Sequence, residues 1–256
     1  TFVCYYNKTT ISKGFTNMQK LENHTATNTP TRTLVAIGGG EIRYKTTLSI
    51  DEYVSKLAYN HAGEKRPVGV FIGTASHDSL PYFNSFRKTY TSNFDIKADL
   101  ALLTKKNVPF EKIQGKIENA NLIYIGGGDT LFMLDVWKKT GMEKLIIDAY
   151  NRGVPIAGLS AGAICWFSDM YTDSEMFHDP NGSYSLKKGL GIIPALMSPH
   201  YDERVEFDSI ASTFNIPAYA VENNAAIIFE NEIYTKTLSS GGKAFLFQNG
   251  IKKELL

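Results

Sequence analysis

The sequence predicts an α/β protein with a mostly parallel, open sheet covered by helices on both faces, a three-layer αβα arrangement. Three observations lead there. Short apolar runs recur along the chain and stop at Gly, Ser or Thr; longer segments with helical spacing separate them; and the runs are continuously apolar rather than alternating. Continuous runs mark strands buried on both faces, and alternation with amphipathic helices marks parallel connections. With 256 residues, 43% hydrophobic and 21% charged, the chain can bury a sizeable core.

Taken in order, residues 1–31 are rich in Thr, Asn and Lys with weak periodicity and read as an N-terminal extension. Residues 32–256 then read as a single α/β domain. LVAIGGG (34–40) is the first strand, and SIDEYVSKLAYNHAG the first helix. VGVFIGTAS (68–76), ADLALL (98–103) and NLIYIGGGD (121–129) are further strands. DTLFMLDVWKKTGMEKLIIDAYNRG has helical spacing, VPIAGLS (154–160) is a fifth strand, and AGAICWF after it is compatible with a helix. Beyond Phe167 the texture changes: YTDSEMFHDPNGSYSLKKG is polar and loop-like, and GIIPALMSPHY is a strand with His200 at its polar end. AYAVE, AAIIFENEIYTKTL and KAFLFQNGIKKELL read as strands joined by tight turns at the Asn-Asn and Asn-Gly steps. Open parallel sheets bind ligands beyond the carboxyl ends of their strands, where several of these runs end in glycine.

The composition narrows the function classes. A net charge of +1 with scattered basic residues predicts neither nucleic-acid nor anionic-membrane binding. No apolar run approaches the ~18 residues of a membrane span, and the start, TFVCYYNKTT, lacks the layout of a signal peptide. Two cysteines, Cys4 and Cys165, do not make a disulfide framework, which fits a reduced cytoplasmic setting. The sequons at Asn7, Asn23 and Asn181 are short enough to arise by chance. No H-E-x-x-H, cysteine pair or tight His/Asp cluster suggests a metal, and no cofactor is implied.

GLSAG (158–162) fits G-x-S-x-G, the nucleophile elbow, in which a sharp strand-to-helix turn lifts a serine hydroxyl into the open. A serine needs a base, because its hydroxyl is a poor nucleophile at neutral pH. Of His24, His61, His77, His178 and His200, only His200 projects from a strand end at the expected active edge. The base needs an acceptor in turn, and Glu222, which closes AYAVE, suits that place. Glu175, Asp173, Asp202 and Glu203 compete for it, with Glu175 the strongest alternative. In IGGGD, the backbone N–H groups of Gly127 or Gly128 can join that of Ala161 as an oxyanion hole, and Asp129 is expected against substrate. IGGGE (37–41) reads as close packing of a strand end under the site, and the triple glycines also admit a phosphate cradle.

Taken together, IYIGGGDT, GLSAGA, MSPHY and AVENNAA resemble peptidase E, the aspartyl dipeptidases of serine peptidase family S51, in the family's order from about Thr33 to the C-terminus. The resemblance implies a fold like that of class I glutamine amidotransferases, with Ser160 where those enzymes usually have cysteine. It implies Ser160 as nucleophile, His200 as base and Glu222 as acid, and it brings Glu175 to the position of an aspartate also proposed as catalytic. Family members cleave dipeptides with an N-terminal aspartate, so a cation should face that carboxylate; Arg204 is the nearest candidate. The function expected is therefore a serine dipeptidase acting on small peptides. A cyanophycinase-like or amidase hydrolase on the same triad, or a non-catalytic nucleotide-binding protein, are the alternatives.

Overall fold

The first sheet is built from the apolar runs that the sequence singles out. β1 (Thr33–Ile37), β2 (Val68–Ile72), β3 (Lys97–Ala101), β4 (Leu122–Ile125) and β5 (Ile156–Leu159) pair in parallel in the order β1-β5-β4-β2-β3. Two antiparallel strands, β10 (Ala225–Glu230) and β11 (Ile233–Ser239), extend it beyond β1 to seven strands. This computed structural model describes residues 29–105, 108–204 and 206–255, and those from Thr31 onward form one compact unit. Nearly all of the expected extension, with Cys4, His24, Asn7 and Asn23, lies outside the described residues.

Side chains of a strand alternate between faces, and here both faces are apolar. Val35 and Ile37 pack with Val54 of α1 (Leu48–Ala62) and with Phe86 and Tyr90 of α2 (Leu80–Phe94). Leu34 and Ala36 join the opposite core, with α3 (Phe110–Glu118), α4 (Thr130–Thr140) and α5 (Met142–Asn151). The αβα layering is therefore as the sequence predicts. Among the described residues no helix is long and apolar enough to cross a membrane.

The C-terminal part departs from a single sheet. β6 (Phe167–Thr172), β7 (Ser185–Lys188), β8 (Ile193–Ser198), β9 (Ala218–Val221), β12 (Ala244–Gln248) and β13 (Ile251–Leu255) form a second, mixed sheet in the order β13-β12-β9-β8-β6-β7. Phe167 and Tyr219 of this sheet meet Phe229 of the first at ring distances of 5.6 and 5.3 Å, so the two share a core. The Asn-Asn step is not a hairpin: β9 and β10 lie in different sheets, and Asn223-Asn224 carries the chain from one to the other. True hairpins close at Asn231-Glu232 (φ 50 and 64) and Asn249-Gly250 (φ 52 and 76), where paired positive φ values match strand twist. The helix expected after the elbow is a single turn, α6 (Ala161–Ile164), because the aromatic end of AGAICWF feeds β6 instead.

Candidate active site

The sequence GLSAG can fold as an elbow because its glycines admit a close approach of strand and turn. A Cβ on Gly158 would lie 2.0 Å from the Gly162 carbonyl oxygen, so strand and turn can touch only without side chains. Ser160 takes φ 51 and ψ −107 at the end of β5, a backbone conformation costly for a residue with a Cβ. Its hydroxyl faces His200, with Oγ 2.9 Å from Nε2.

His200 also sits at a left-handed position, φ 49, just past β8. Its other ring nitrogen, Nδ1, is 2.8 Å from Oδ1 of Asn223. The orientation of that amide follows from its neighbours. Asn223 Nδ2 is 3.0 Å from Asp202 Oδ2 and 2.7 Å from Glu203 Oε1, and carboxylates only accept. Oδ1 therefore faces His200 and accepts from Nδ1–H, which leaves the Nε2 lone pair directed at the serine hydroxyl. A second bond, from Asn223 N–H to Asp202 Oδ1 at 2.8 Å, holds the loop in place. The constellation is Ser160–His200–Asn223.

Glu222 is thus displaced from the role expected of it. Its carboxylate accepts the Lys243 backbone N–H at 2.8 Å and is bonded to that strand, not to His200. Neighbouring residues at a strand end project oppositely, so turning Asn223 toward His200 turns Glu222 away. Glu175 pairs with Lys187 at 2.8 Å, which holds its carboxyl below the usual range, and it makes no bond to His200. Asp202 and Glu203, two of the competing carboxylates, stand one residue removed from the imidazole, behind Asn223.

The IGGG segment after β1 organises all of this. Successive carbonyls accept backbone N–H groups from the three site segments: Ile37 from Ser160 at 2.9 Å, Gly38 from His200 at 3.1 Å, and Gly39 from Asn224 at 3.0 Å. A Cβ on Gly39 would come within 2.1 Å of Asn223 Oδ1 and 2.5 Å of His200 Nδ1. The reading of IGGGE as close packing beneath the site holds, and its consequence is larger than packing. Of the donors a phosphate cradle would need, the Gly38 N–H is given to the Ala225 carbonyl and the Glu41 N–H to the Thr46 hydroxyl, both at 2.9 Å.

Ser160 and His200 open on a cavity of about 580 Å³, within the ~300–1,000 Å³ usual for small-molecule sites. Gly40, Glu41, Arg43, Tyr82, Gly127, Gly128, Asp173 and Phe177 are among its walls. Gly127 N–H donates to the Tyr82 hydroxyl at 3.3 Å, Gly128 is also on the wall, and Ala161 is buried at the start of α6. Asp129 does not reach the cavity wall. It is buried, caps α4 through Leu131 and Phe132 N–H at 3.1 Å, and lies 2.6 Å from His178 Nε2.

Arg204 is likewise committed elsewhere. It is 1% exposed, donates to the Tyr171 carbonyl at 2.5 Å, lies 3.3 Å from Asp173, and stacks on Tyr184 at 4.6 Å. Burial lowers its pKa while Asp173 opposes that shift. Among the described residues, the cation on the cavity wall is Arg43 instead, which the sequence hides inside an unremarkable helical turn. Cys165 is buried with its thiol pushed up by desolvation, so it is packing and not a nucleophile. Among the described residues no group of three His, Cys, Asp or Glu could hold a metal ion.

A family model described as "Peptidase family S51" matches residues 34–237. A Bacillus subtilis (strain 168) protein named "Uncharacterized peptidase YgaJ" is 31% identical over 220 residues, covering 83% of this chain and 90% of that protein. The crystal structure of a peptidase from an acI-B1 Actinobacterium superposes with a TM-score of 0.67 at 17% identity, over 87% of this chain and 93% of that one. A putative peptidase E protein from Listeria monocytogenes EGD-e gives 0.60 at 20% identity, over 82% and 98%.

Proposed function

Since this chain belongs to peptidase family S51 and is a peptidase, we propose that it hydrolyses short peptides with a free amino terminus through Ser160, His200 and Asn223. The single observation that carries this is the 2.9 Å approach of His200 Nε2 to a serine hydroxyl raised on a φ 51 elbow.

In this reading Ser160 Oγ attacks the scissile carbonyl carbon while its proton passes to His200 Nε2. The oxyanion is held by the N–H groups of Ala161 and Gly128. The tetrahedral adduct collapses as the imidazolium returns its proton to the departing amine. Water then attacks the acyl-serine with His200 again as base, releasing the acid and restoring the hydroxyl. Asn223 keeps Nδ1 protonated and the ring in plane, the role an amide has in Cys-His-Asn proteases. An amide brings no charge of its own to the imidazolium. Asp202 and Glu203 supply negative charge from behind it, exposed to solvent and so screened.

The cavity also suggests how a small peptide is oriented. Glu41 and Asp173 are suited to the substrate's ammonium group, and Arg43 to a carboxylate. A preference for N-terminal aspartate would then rest on Arg43, since Arg204 is buried and is not among the cavity walls. Labelling with an active-site-directed fluorophosphonate tests the mechanism. Folded protein should be labelled at Ser160 and the Ser160→Ala variant should not; labelling that is absent, or unchanged by the substitution, would sink it.

A further inference from the structure

A second groove adjoins the catalytic cavity, and its lining is entirely polar. It has a volume of about 280 Å³ and is walled by Arg43, Lys45, Asn84, Ser85, Lys88, Thr89, Ser92 and Asn93. Among the described residues it carries three cations and no acid. Among the described residues none of the three is in an ion pair, although Lys45 donates to the Asn93 side chain at 3.3 Å.

The groove and the catalytic cavity are neighbours. Arg43 and Ser85 line both. The shared wall is one ridge of α2: Pro81 and Ser85 stand in the catalytic cavity, and Ser85, Lys88 and Ser92 in the groove. These positions follow the i, i+4, i+7, i+11 spacing of a single helical face. The ridge spans about 16 Å of helix axis, roughly the length of five extended residues. The opposite wall comes from the 3₁₀ turn Ile42–Tyr44, whose C-cap Lys45 adopts φ 59 and so places its side chain on the groove. Charge is graded along this path, acidic at Glu41 and Asp173 beside Ser160 and basic farther along.

We propose that this groove is a subsite for a carboxylate on a peptide longer than a dipeptide, either a C-terminal carboxylate or an acidic side chain. The proposal rests on the peptidase reading above, because the groove shares Arg43 and Ser85 with the cavity that Ser160 lines. An amino terminus near Glu41 and a carboxylate at Arg43, Lys45 and Lys88 align a zwitterionic peptide with its scissile bond over the serine. The three cations are exposed, so each contributes modestly and in a salt-dependent way.

Calorimetric titration of the Ser160→Ala protein separates binding from turnover. The probes are Asp-Ala-Ala-Glu, its C-terminal amide, and Asp-Ala-Ala-Gln amide, which carry both, one and neither of the distal carboxylates. The first should bind about tenfold more tightly than the last at low salt, with the amide showing which carboxylate is used. The gap should close to about twofold in Lys45→Glu/Lys88→Glu. Lys88→Glu alone is the second variant, because Lys45 occupies a left-handed backbone position. Equal or absent binding of the three peptides, or a gap that survives in both variants, overturns the subsite. Fluorophosphonate labelling of the unsubstituted protein reports on the hydrolytic reading independently. A reactive Ser160 with no carboxylate preference refutes the groove alone, and carboxylate binding with an inert Ser160 refutes the mechanism alone.

Discussion

Replacing Asn223 with alanine isolates the least expected member of the site. The substitution deletes the 2.8 Å bond to His200 Nδ1, worth ~0.5–1.5 kcal/mol for a neutral pair. It also frees the imidazole to rotate, and re-ordering such a side chain costs ~0.5–1.5 kcal/mol. Together these raise the barrier by about 1–3 kcal/mol, a loss of ~5- to 150-fold in kcat. Glu222→Gln should behave differently: glutamine Oε1 still accepts the Lys243 N–H, so activity should stay within about twofold. The assay is steady-state hydrolysis of a short peptide by both variants, with thermal melts to show that each is folded. If Glu222→Gln costs more activity than Asn223→Ala, the assignment of Asn223 is refuted and the carboxylate is restored to the triad.

Two further expectations concern stability. Burial raises the Asp51 carboxyl from 3.8 to about 6, against the opposing hydrogen bonds from Tyr90 and Thr47. The folded state therefore holds this proton more tightly than the unfolded chain. The associated stability is complete below pH ~4 and is lost as pH rises through 6. Asp51→Asn should gain on the unsubstituted protein between pH 4 and 7.5 by up to ~3 kcal/mol in urea melts, and a difference independent of pH would refute the argument. Arg204→Ala should lower stability by about 3 kcal/mol, the low end for a broken buried pair because its partner Asp173 is 31% exposed to water. The ratio of Asp-X to Ala-X hydrolysis should stay unchanged; a collapsed ratio with an unaltered melt would return Arg204 to the substrate.

The parallel half of the fold was legible because local and global signals agree there. The runs from LVAI to VPIAGL are mostly apolar and stop at Gly, Ser or Thr, and each forms a strand of the first sheet. The elbow and His200 were legible for the same reason, since strand ends and small residues leave marks in sequence. Asn223 left no such mark. It lies next to a carboxylate that chemistry favours, and only the direction of the chain leaving β9 decides which of the two faces the imidazole. A left-handed asparagine, here Asn224 with φ 61, serves a hairpin and a crossing between sheets equally well, so the second sheet was hidden in a turn signal. Arg204 was misjudged because its partners, Tyr171, Asp173 and Tyr184, come from a segment some twenty to thirty residues earlier.

The three carbonyls of residues 37–39 act as a ruler for the site. Segments far apart in sequence are spaced by peptide geometry, ~3.8 Å per residue, rather than by the fit of side chains. Core substitutions that shift a strand by a fraction of an ångström leave such a ruler intact. A single residue inserted or deleted between Ile37 and Gly38 would change the spacing of the marks and so shift the nucleophile relative to its base. The chemistry is thus buffered against drift in composition and exposed to changes in chain length at one short stretch, which lies more than a hundred residues before the serine it positions.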